Sequence, residues 1–496
     1  MQYFRQLIFL VFPICLFSQD FSNQWTGHYS FFQITDTYAT NNKVYTASEN
    51  AIFIYDIDTR ANEVFSTIDG LSGEIISKIY HSSVFDITVI GYESGLLEFI
   101  VNDEVRTFID IVETPTIPPT QKNINHFFEH EDILFIATEF GIIEFNLERI
   151  EFGDTFFVGP LGSQINITGT VVLGDSIYAS TANNGILTAD INNTDLVDFN
   201  QWSSVVTGSF NGITLFNDQV LVQQNTDLIG SLEGNVINTV ITAPSAIQDF
   251  YADSQSLTVT LVDRALVFDT NLQEINSLNS TEEDGFVLNT ALTFNNTIYL
   301  GTNSRGLLEI DFNDLNTKTS IAPDGPLLNF TFGLEALNGN LWVVFGQYDV
   351  NFNPFPLQQR GISKLTPEGW LNISADEVLG ATSLSHITIN PTNENQVFIS
   401  SLSSGLLEIN DNVVTNLYND TNSGFEAFVP DDSQFVFLNG SVFDNDGNLW
   451  VNNSRVDNAL KRFSLGSSQI RNINVSSLIS DPVSYTHLTL PTTPYV

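Results

Sequence analysis

The sequence contains one arrangement of residues typical of a metal site. His126, Glu129 and His130 match the H-x-x-E-H pattern of one group of zinc peptidases. That chemistry requires a helix, because only there do histidines one turn apart face the same metal ion. The motif leads through Glu131 and Asp132 into the apolar segment 133–137, a pattern typical of strand, turn and strand. We therefore expect no zinc at these residues, and the sequence predicts no metal ligands or cofactor.

Two other segments match known motifs incompletely. Residues 70–74 (Gly-Leu-Ser-Gly-Glu) approach the G-x-S-x-G nucleophile elbow, but Glu74 replaces the last glycine. Residues 444–448 (Asp-Asn-Asp-Gly-Asn) resemble a calcium loop, but its glycine comes too early and Arg455 stands at position twelve, where a glutamate is needed. An Asp/Gly turn leading into the strand 449–451 is the simpler interpretation. The sequence assigns no catalytic residue and no ligand-binding residue.

A repeated phrase predicts the elements that position all of these residues. Each copy is an apolar strand, a small polar turn, a Gly or Ala, and a second apolar strand that ends on Asp or Asn. The small residue stands at Ala51, Gly95, Gly141 and Gly185, near Ile229, at Ala265, Gly306, Gly361 and Gly405, and near Ala459. A period of roughly 40–50 residues with several strands per unit is typical of β-propeller blades. We predict an all-β chain.

The number of copies predicts the domains. Seven copies precede the Pro/Gly-rich break at 322–326, and a propeller ring holds roughly 4–8 blades. We therefore predict a complete seven-bladed propeller over residues 19–321. Three further copies predict a second propeller over 322–481, which is incomplete because the chain is truncated.

The two ends of the chain have their own patterns. Residues 1–18 combine Arg5, an apolar stretch over 7–17 and Ser18 before Gln19, which predicts a cleaved signal peptide and an exported protein. The only cysteine, Cys15, lies inside it. Residues 482–496 have no blade pattern and resemble a translated sequencing adapter, so we expect a non-native tail. No segment after residue 20 is apolar enough to span a bilayer.

The charge limits the partners. The chain has 58 acidic and 16 basic residues and a formal net charge of −42. Such a surface repels phosphate backbones, which disfavours nucleic acid as a partner. An anionic ligand would need a local basic patch or bridging divalent cations. The basic candidates are Lys78, Arg106 and Lys122 in the early blades, and Arg305, Arg360 and Lys364 near the break between the propellers.

An ordered set of segments resembles the PorZ family of the type IX secretion system of Bacteroidota. The set comprises residues 25–30 (Trp-Thr-Gly-His-Tyr-Ser), 69–74, 79–82, 91–97, 117–119, 124–127 and 151–157. The resemblance continues more loosely to about Asn474. It implies two propellers followed by a β-sandwich domain, at the outer face of the outer membrane.

The resemblance also implies a role without catalysis. It implies that the chain binds anionic lipopolysaccharide and presents it to the sortase PorU, beside PorV and PorQ, so that secreted cargo is anchored. No motif of the family transfers ligand-binding residues to this chain.

Two alternatives belong to other classes. Residues 446–451 (Asp-Gly-Asn-Leu-Trp-Val) resemble the blade motif of two-component sensor propellers, which bind oligosaccharides in the periplasm. A terminal kinase region would favour that sensor, and a terminal sandwich would favour the secretion component. A propeller glycosidase or lyase would need convergent acid and base residues at the mouth of the ring.

Overall fold

The computed structural model of the chain describes residues 26–280, 285–350, 353–429, 434–465 and 469–475. Within these ranges the chain folds into ten four-stranded antiparallel sheets, each with its strands side by side in chain order. These sheets are propeller blades, so the all-β prediction is confirmed. The predicted signal peptide and the predicted non-native tail lie outside the described residues.

We number the sheets 1 to 10 along the chain. Sheets 1 to 4 comprise β1 (Ile34–Thr40), β2 (Lys43–Ser48), β3 (Ile52–Asp56), β4 (Ala61–Phe65); β5 (Ile76–Ser82), β6 (Ile87–Tyr92), β7 (Leu97–Val101), β8 (Glu104–Phe108); β9 (Ile124–His130), β10 (Ile133–Thr138), β11 (Ile142–Asn146), β12 (Glu151–Phe156); and β13 (Ile167–Leu173), β14 (Ser176–Thr181), β15 (Ile186–Asp190), β16 (Ser203–Val206). Sheets 5 to 7 comprise β17 (Phe210–Phe216), β18 (Gln219–Gln224), β19 (Leu228–Glu233), β20 (Val236–Thr242); β21 (Ile247–Ala252), β22 (Leu257–Leu261), β23 (Arg264–Phe268), β24 (Glu274–Asn279); and β25 (Leu288–Phe294), β26 (Thr297–Thr302), β27 (Leu307–Asp311), β28 (Asp314–Ser320).

Sheets 8 to 10 comprise β29 (Gly333–Leu337), β30 (Asn340–Val344), β31 (Ile362–Thr366), β32 (Gly369–Ile373); β33 (Leu384–Asn390), β34 (Asn393–Ser401), β35 (Gly405–Asn410), β36 (Val413–Tyr418); and β37 (Leu438–Phe443), β38 (Asn448–Asn453), β39 (Leu460–Ser464), β40 (Gln469–Ile473). One short helix, α1 (Asp110–Glu113), and 3₁₀ turns at Pro119–Gln121, Pro160–Gly162, Phe199–Gln201 and Ala375–Glu377 lie in the connections.

Apolar layers between neighbouring sheets form the core. The second and third strands of a sheet are almost fully buried, as in β6 and β7, whereas fourth strands such as β4 are mostly exposed. Each first strand packs beside the first strand of the next sheet, from β1 to β25, and β25 in turn packs on β1. One apolar cluster joins Val44 and Phe53 of sheet 1 to Leu292 and Tyr299 of sheet 7. The seven sheets before residue 321 therefore make a closed series of contacts.

The small residue of the repeated phrase precedes or begins the third strand, and packing explains it. A Cβ atom on Gly185 would lie 2.0 Å from the carbonyl oxygen of Val206 in the fourth strand, and one on Gly405 would lie 2.1 Å from that of Tyr418. Both positions also have a positive φ, of 84° and 106°. The close fourth strand and the backbone conformation both favour glycine here.

The predicted break at 322–326 lies between sheets 7 and 8 and is held by hydrogen bonds. The backbone N–H of Ser30 donates to Asn329 (2.7 Å), and the Ser30 hydroxyl donates to the carbonyl of Leu327 (2.7 Å). The carboxylate of Asp324 accepts the backbone N–H of Trp370 at 3.1 Å. Sheets 8, 9 and 10 pack consecutively through β29, β33 and β37. The second propeller and the domain boundaries at 18, 321 and 481 stay predictions.

Candidate functional site

The first strands of sheets 1 to 6 surround a cavity of about 440 Å³, which we call the central cavity. Each first strand of sheets 1 to 7 has a register irregularity between its first and third residues. Counted from the strand start, the same positions therefore recur around the cavity. The third residues are Asp36, Lys78, His126, Gly169, Gly212, Asp249 and Thr290. Their differing chemistry makes the cavity asymmetric.

The second residues of these strands connect neighbouring sheets. Asn125 donates its side-chain amide to the carbonyl of Ile167 (2.7 Å), and the Thr168 hydroxyl donates to that of Phe210 (3.0 Å). Asn289 of sheet 7 donates in the same way to the carbonyl of Ile34 in sheet 1 (2.7 Å). The contact between the last and first of these sheets thus repeats the contact between sheets 3 and 4.

A charged pair lies at the third position of sheets 1 and 2. The Lys78 ammonium donates to Asp36 Oδ1 at 2.8 Å, and the backbone N–H of Ile79 donates to Asp36 Oδ2 at 2.8 Å. Burial raises the pKa of the Asp36 carboxyl, and the attraction of Lys78 offsets only part of that rise. Burial acts against the charge of Lys78, but Asp36 and Asp249 outweigh it and raise the pKa of the ammonium, so Lys78 is charged at neutral pH.

Sheets 6 and 7 extend this polar network. The Thr290 hydroxyl donates to Asp249 Oδ2 at 2.7 Å and lies 3.1 Å from the hydroxyl of Thr37. One ammonium therefore faces two carboxylates at one level of the cavity. His126, at the same level, accepts a long bond from the backbone N–H of Thr170 (3.5 Å). Burial, with a smaller effect of the Lys78 charge, lowers the pKa of His126 to about 4, so its imidazole is neutral at pH 7.

Aromatic rings line the next level of the cavity. The rings of Tyr38 and Tyr80 lie 4.7 Å apart, and that of Tyr251 lies 6.1 Å from Tyr38. The Tyr80 hydroxyl donates to Glu129 at 3.0 Å, and that of Tyr251 donates to the carbonyl of Ala39 at 3.0 Å. Burial raises the pKa of all three phenols, so they are neutral hydrogen-bond donors at pH 7. The cavity thus combines aromatic surface with donors and acceptors.

The residues of the H-x-x-E-H motif, His126, Glu129 and His130, lie on a strand and not on the helix that a zinc peptidase site requires. All three lie on β9, and two residues four apart along a strand are about 13 Å apart at the backbone. Among the described residues, no group of three or more His, Cys, Asp or Glu side chains is arranged to hold a metal ion.

The segment 444–448 forms a turn before β38. Asp444 accepts hydrogen bonds from the Trp450 indole (2.7 Å) and the backbone N–H of Asn448 (2.8 Å), which lower its pKa to about 2. The glycine-rich segment 70–74 likewise forms a connection between β4 and β5, with the backbone N–H of Ser72 donating to the buried carboxylate of Glu98 at 3.0 Å.

The basic residues considered as an anion site lie on sheets 2, 7 and 8 and in the connection after α1. Lys122 donates to the carbonyls of Val112 (2.6 Å) and Thr114 (3.1 Å). Arg360 donates to the carbonyl of Phe345 (2.6 Å), Lys364 donates to Asn412 (2.9 Å), and Lys78 is paired with Asp36. Arg305 lies 3.8 Å from Asp376. Arg106 is exposed on β8. Four of the six, Lys78, Lys122, Arg360 and Lys364, therefore donate hydrogen bonds within the protein, and Arg305 forms a longer ion pair with an exposed carboxylate.

Sequence reasoning did not find Asp36, Asp249 or the three tyrosines. It followed the third strand of each unit, where the glycine repeats. The signal that could have found them is an alignment of the seven first strands on their first residues, such as Ile34, Ile76 and Ile124. In that alignment the third residues of the strands lie at one level of the cavity and the fifth residues at the next.

Residues 44–203 match the family model described as TSS9, PorZ, N-terminal beta-propeller domain. Among solved structures, the fold is similar to that of PorZ, described as an essential bacterial surface component of the type-IX secretion system of Porphyromonas gingivalis. That match has a TM-score of 0.76 at 15% identity and covers 91% of this chain and 60% of that one. This chain thus spans 60% of the PorZ chain that it matches. No curated protein sequence matches it.

Two other solved structures are less similar. Raptor from Chaetomium thermophilum gives a TM-score of 0.45 at 12% identity, over 57% of this chain and 28% of that one. The extracellular domain of a putative one-component system from B. thetaiotaomicron gives 0.31 at 14% identity, over 89% and 60%. No helix among the described residues is long and apolar enough to cross a membrane.

Proposed function

Because residues 44–203 match the model of the PorZ N-terminal β-propeller family, we propose that this chain is a non-enzymatic component of the type IX secretion system. Its place is the outer face of the outer membrane, as part of the attachment complex with the sortase PorU, PorV and PorQ. There it binds anionic lipopolysaccharide and presents it to the sortase for cargo anchoring. The family match over residues 44–203 carries the proposal, and the similarity of fold over 91% of the chain supports it.

The architecture suits such a role. We propose that sheets 1 to 7 form one closed ring, supported by the contacts of β25 with β1, and that sheets 8 to 10 belong to a second. A ring of blades offers a rigid surface for several partners, because each blade is held on both faces.

Deletion of the full-length gene tests the proposal. We expect secreted cargo to keep its C-terminal signal and to appear unanchored in the medium, and we expect re-expression of the gene to restore attachment. Capture of the tagged full-length protein should co-purify PorU. If cargo is cleaved and anchored normally in the deletion strain, the proposal is wrong. If growth on a particular glycan then fails, the oligosaccharide sensor replaces it.

The charge of the ligand needs its own experiment. A protein with a net charge of −42 repels an anionic glycolipid, although repulsion is screened beyond about 8 Å at physiological ionic strength. Flotation with lipopolysaccharide-containing vesicles, with calcium and with a chelator, separates the two routes. Binding lost with the chelator indicates carboxylates bridged by divalent cations, and binding that persists indicates direct recognition. Absence of binding in both conditions contradicts the glycolipid part of the proposal.

A further inference from the structure

We propose that the central cavity binds a neutral sugar residue, with the pyranose ring on the tyrosine side and its hydroxyls on the polar third-position residues. The inference rests on the proposed function in one respect, since the glycolipid would supply the sugar. In this proposal the cavity formed by sheets 1 to 6 binds an uncharged sugar of the glycolipid, and it does not bind the phosphates of the glycolipid.

The size and position of the cavity fit a small ligand. Its volume of about 440 Å³ lies within the roughly 300–1,000 Å³ of small-molecule sites. It is lined by the first strands of six sheets and by Gln223 of β18, so the residues around it are held by six separate sheets. Gly169 and Gly212 keep two of the third positions free of side chains. A Cβ on Gly212 would lie 2.7 Å from the ring of Phe250, so a larger residue there would meet that ring.

The charges disfavour an anionic group. Asp36, Asp249 and Glu129 contribute three carboxylates, whereas Lys78 is the one positively charged side chain among the lining residues, since the imidazole of His126 is neutral at pH 7. Its ammonium is already bound to Asp36 at 2.8 Å. A phosphate or carboxylate entering the cavity would therefore meet an excess of negative charge at short range, where salt screens little.

A bare organic cation fits less well than a sugar. The Lys78 ammonium occupies the level of the two aspartates and would repel it, and Asp36 is already paired. The Glu129 carboxylate already accepts the Tyr80 hydroxyl. A neutral polyol avoids both conflicts.

The hydrogen-bonding groups match hydroxyls, which both donate and accept. Lys78 has three N–H donors, of which Asp36 takes one, and Thr290 uses one acceptor position of Asp249. Gln248, next to Asp249 on β21, is exposed and adds an amide that donates and accepts. Sugar hydroxyls can pair with such groups without a change of charge.

The aromatic side of the cavity matches the other property of a sugar. A pyranose ring has apolar C–H faces, and Tyr38, Tyr80 and Tyr251 present aromatic surface beside their polar hydroxyls. Ligand sites usually combine apolar walls of this kind with a few well-placed polar groups. The arrangement therefore favours a polyhydroxylated ring over a flexible charged chain.

Binding of methyl glycosides of glucose, galactose, mannose and N-acetylglucosamine to the full chain, measured by isothermal titration calorimetry, tests this site. We expect saturable binding of at least one glycoside. Gln248→Trp should block the cavity and weaken binding at least tenfold. Asp249→Asn, which keeps an acceptor for Thr290, should weaken it about three- to tenfold through one altered hydrogen bond. The control is Gln255→Trp, which makes the same substitution at an exposed glutamine in the turn after β21, outside the cavity lining. This variant should bind the glycoside as tightly as the unchanged protein does.

Several outcomes overturn the inference. These are no binding of any glycoside, equal binding by the Gln248→Trp variant, and saturable binding of spermidine in place of glycosides. Vesicles with lipopolysaccharide then separate the two proposals. If the Gln248→Trp variant floats with them as the unchanged protein does, the cavity is not the site although the glycolipid proposal stands. If glycosides bind and are blocked while no vesicle binds, the cavity is a sugar site and the glycolipid proposal fails.

Discussion

Removal of the Asp36 carboxylate should destabilise the protein far more than the loss of a surface ion pair. The Asp36 side chain is 7% exposed and accepts both the Lys78 ammonium and the backbone N–H of Ile79 at 2.8 Å. Breaking a fully buried pair from one side costs about 3–5 kcal/mol. Because Lys78 is 30% exposed and keeps Asp249 nearby, the cost of leaving its ammonium without Asp36 falls to about 2 kcal/mol. The unpaired N–H of Ile79 adds about 1 kcal/mol, so we expect roughly 3 kcal/mol for Asp36→Ala.

A double-mutant cycle distinguishes this reasoning from a simple loss of packing. Lys78→Met should also destabilise, because it leaves Asp36 buried without a cation, but the double variant should cost about 2 kcal/mol less than the sum of the two. Urea unfolding followed by tryptophan fluorescence measures the three free energies of unfolding. The control is Arg149→Ala, whose partner Glu151 lies 3.1 Å away with both side chains more than half exposed. It should cost less than about 1 kcal/mol. Additive effects, or an Asp36→Ala variant as mild as the control, would refute the reasoning.

Three more variants test one blade, the central cavity and the junction between sheets 7 and 8. Gly185→Ala should destabilise by about 2 kcal/mol more than Gly174→Ala in chemical denaturation, because both have a positive φ but only the Cβ at 185 meets a carbonyl; equal effects contradict the packing argument. The unfolded state takes up a proton on His126 near pH 6.5 and the folded state only near pH 4, so stability should fall as pH drops through this window by up to roughly 3 kcal/mol. His126→Gln should remove that part of the pH dependence, and an unchanged slope argues against a buried neutral imidazole. Asp324→Ala removes the acceptor of the Trp370 backbone N–H, and limited proteolysis should then cut the segment 322–332 faster; an unchanged rate means that this contact does not hold the junction.

The blades were predictable from sequence because their spacing has a steric cause. The third strand runs close to the fourth, and a side chain at Gly141, Gly185, Gly361 or Gly405 would lie within 2.6 Å of a carbonyl oxygen of that strand. Such a constraint acts in each blade separately, so it leaves a repeated residue at a regular spacing. The apolar second and third strands, such as β6 and β7, repeat for a similar reason, because both of their faces are buried between sheets.

The central cavity could not be predicted in the same way. Its third-position residues change from Asp36 to Lys78 to His126 to Gly169, so the positions recur while the residue types do not. Each matters through its neighbour in another sheet, as in the bond between Lys78 and Asp36, which are 42 residues apart. The register irregularity at the start of each first strand also shifts the alternation of side chains, and the sequence carries no mark of it.

The hydrogen-bond partners of the basic side chains limit how this acidic protein could bind an anionic glycolipid. Sequence position suggested two groups of cations, but four of these six side chains donate hydrogen bonds within the protein. Lys122 binds two carbonyls after α1, and Arg360 binds the carbonyl of Phe345 and lies 4.4 Å from the ring of Phe330. A buried cation needs such partners, because an unpaired one is costly to desolvate. A cation used in this way offers little to a phosphate. Recognition by the described part of the chain is therefore better sought in uncharged sugar units, or in carboxylates bridged by divalent cations, than in direct pairing with these bases.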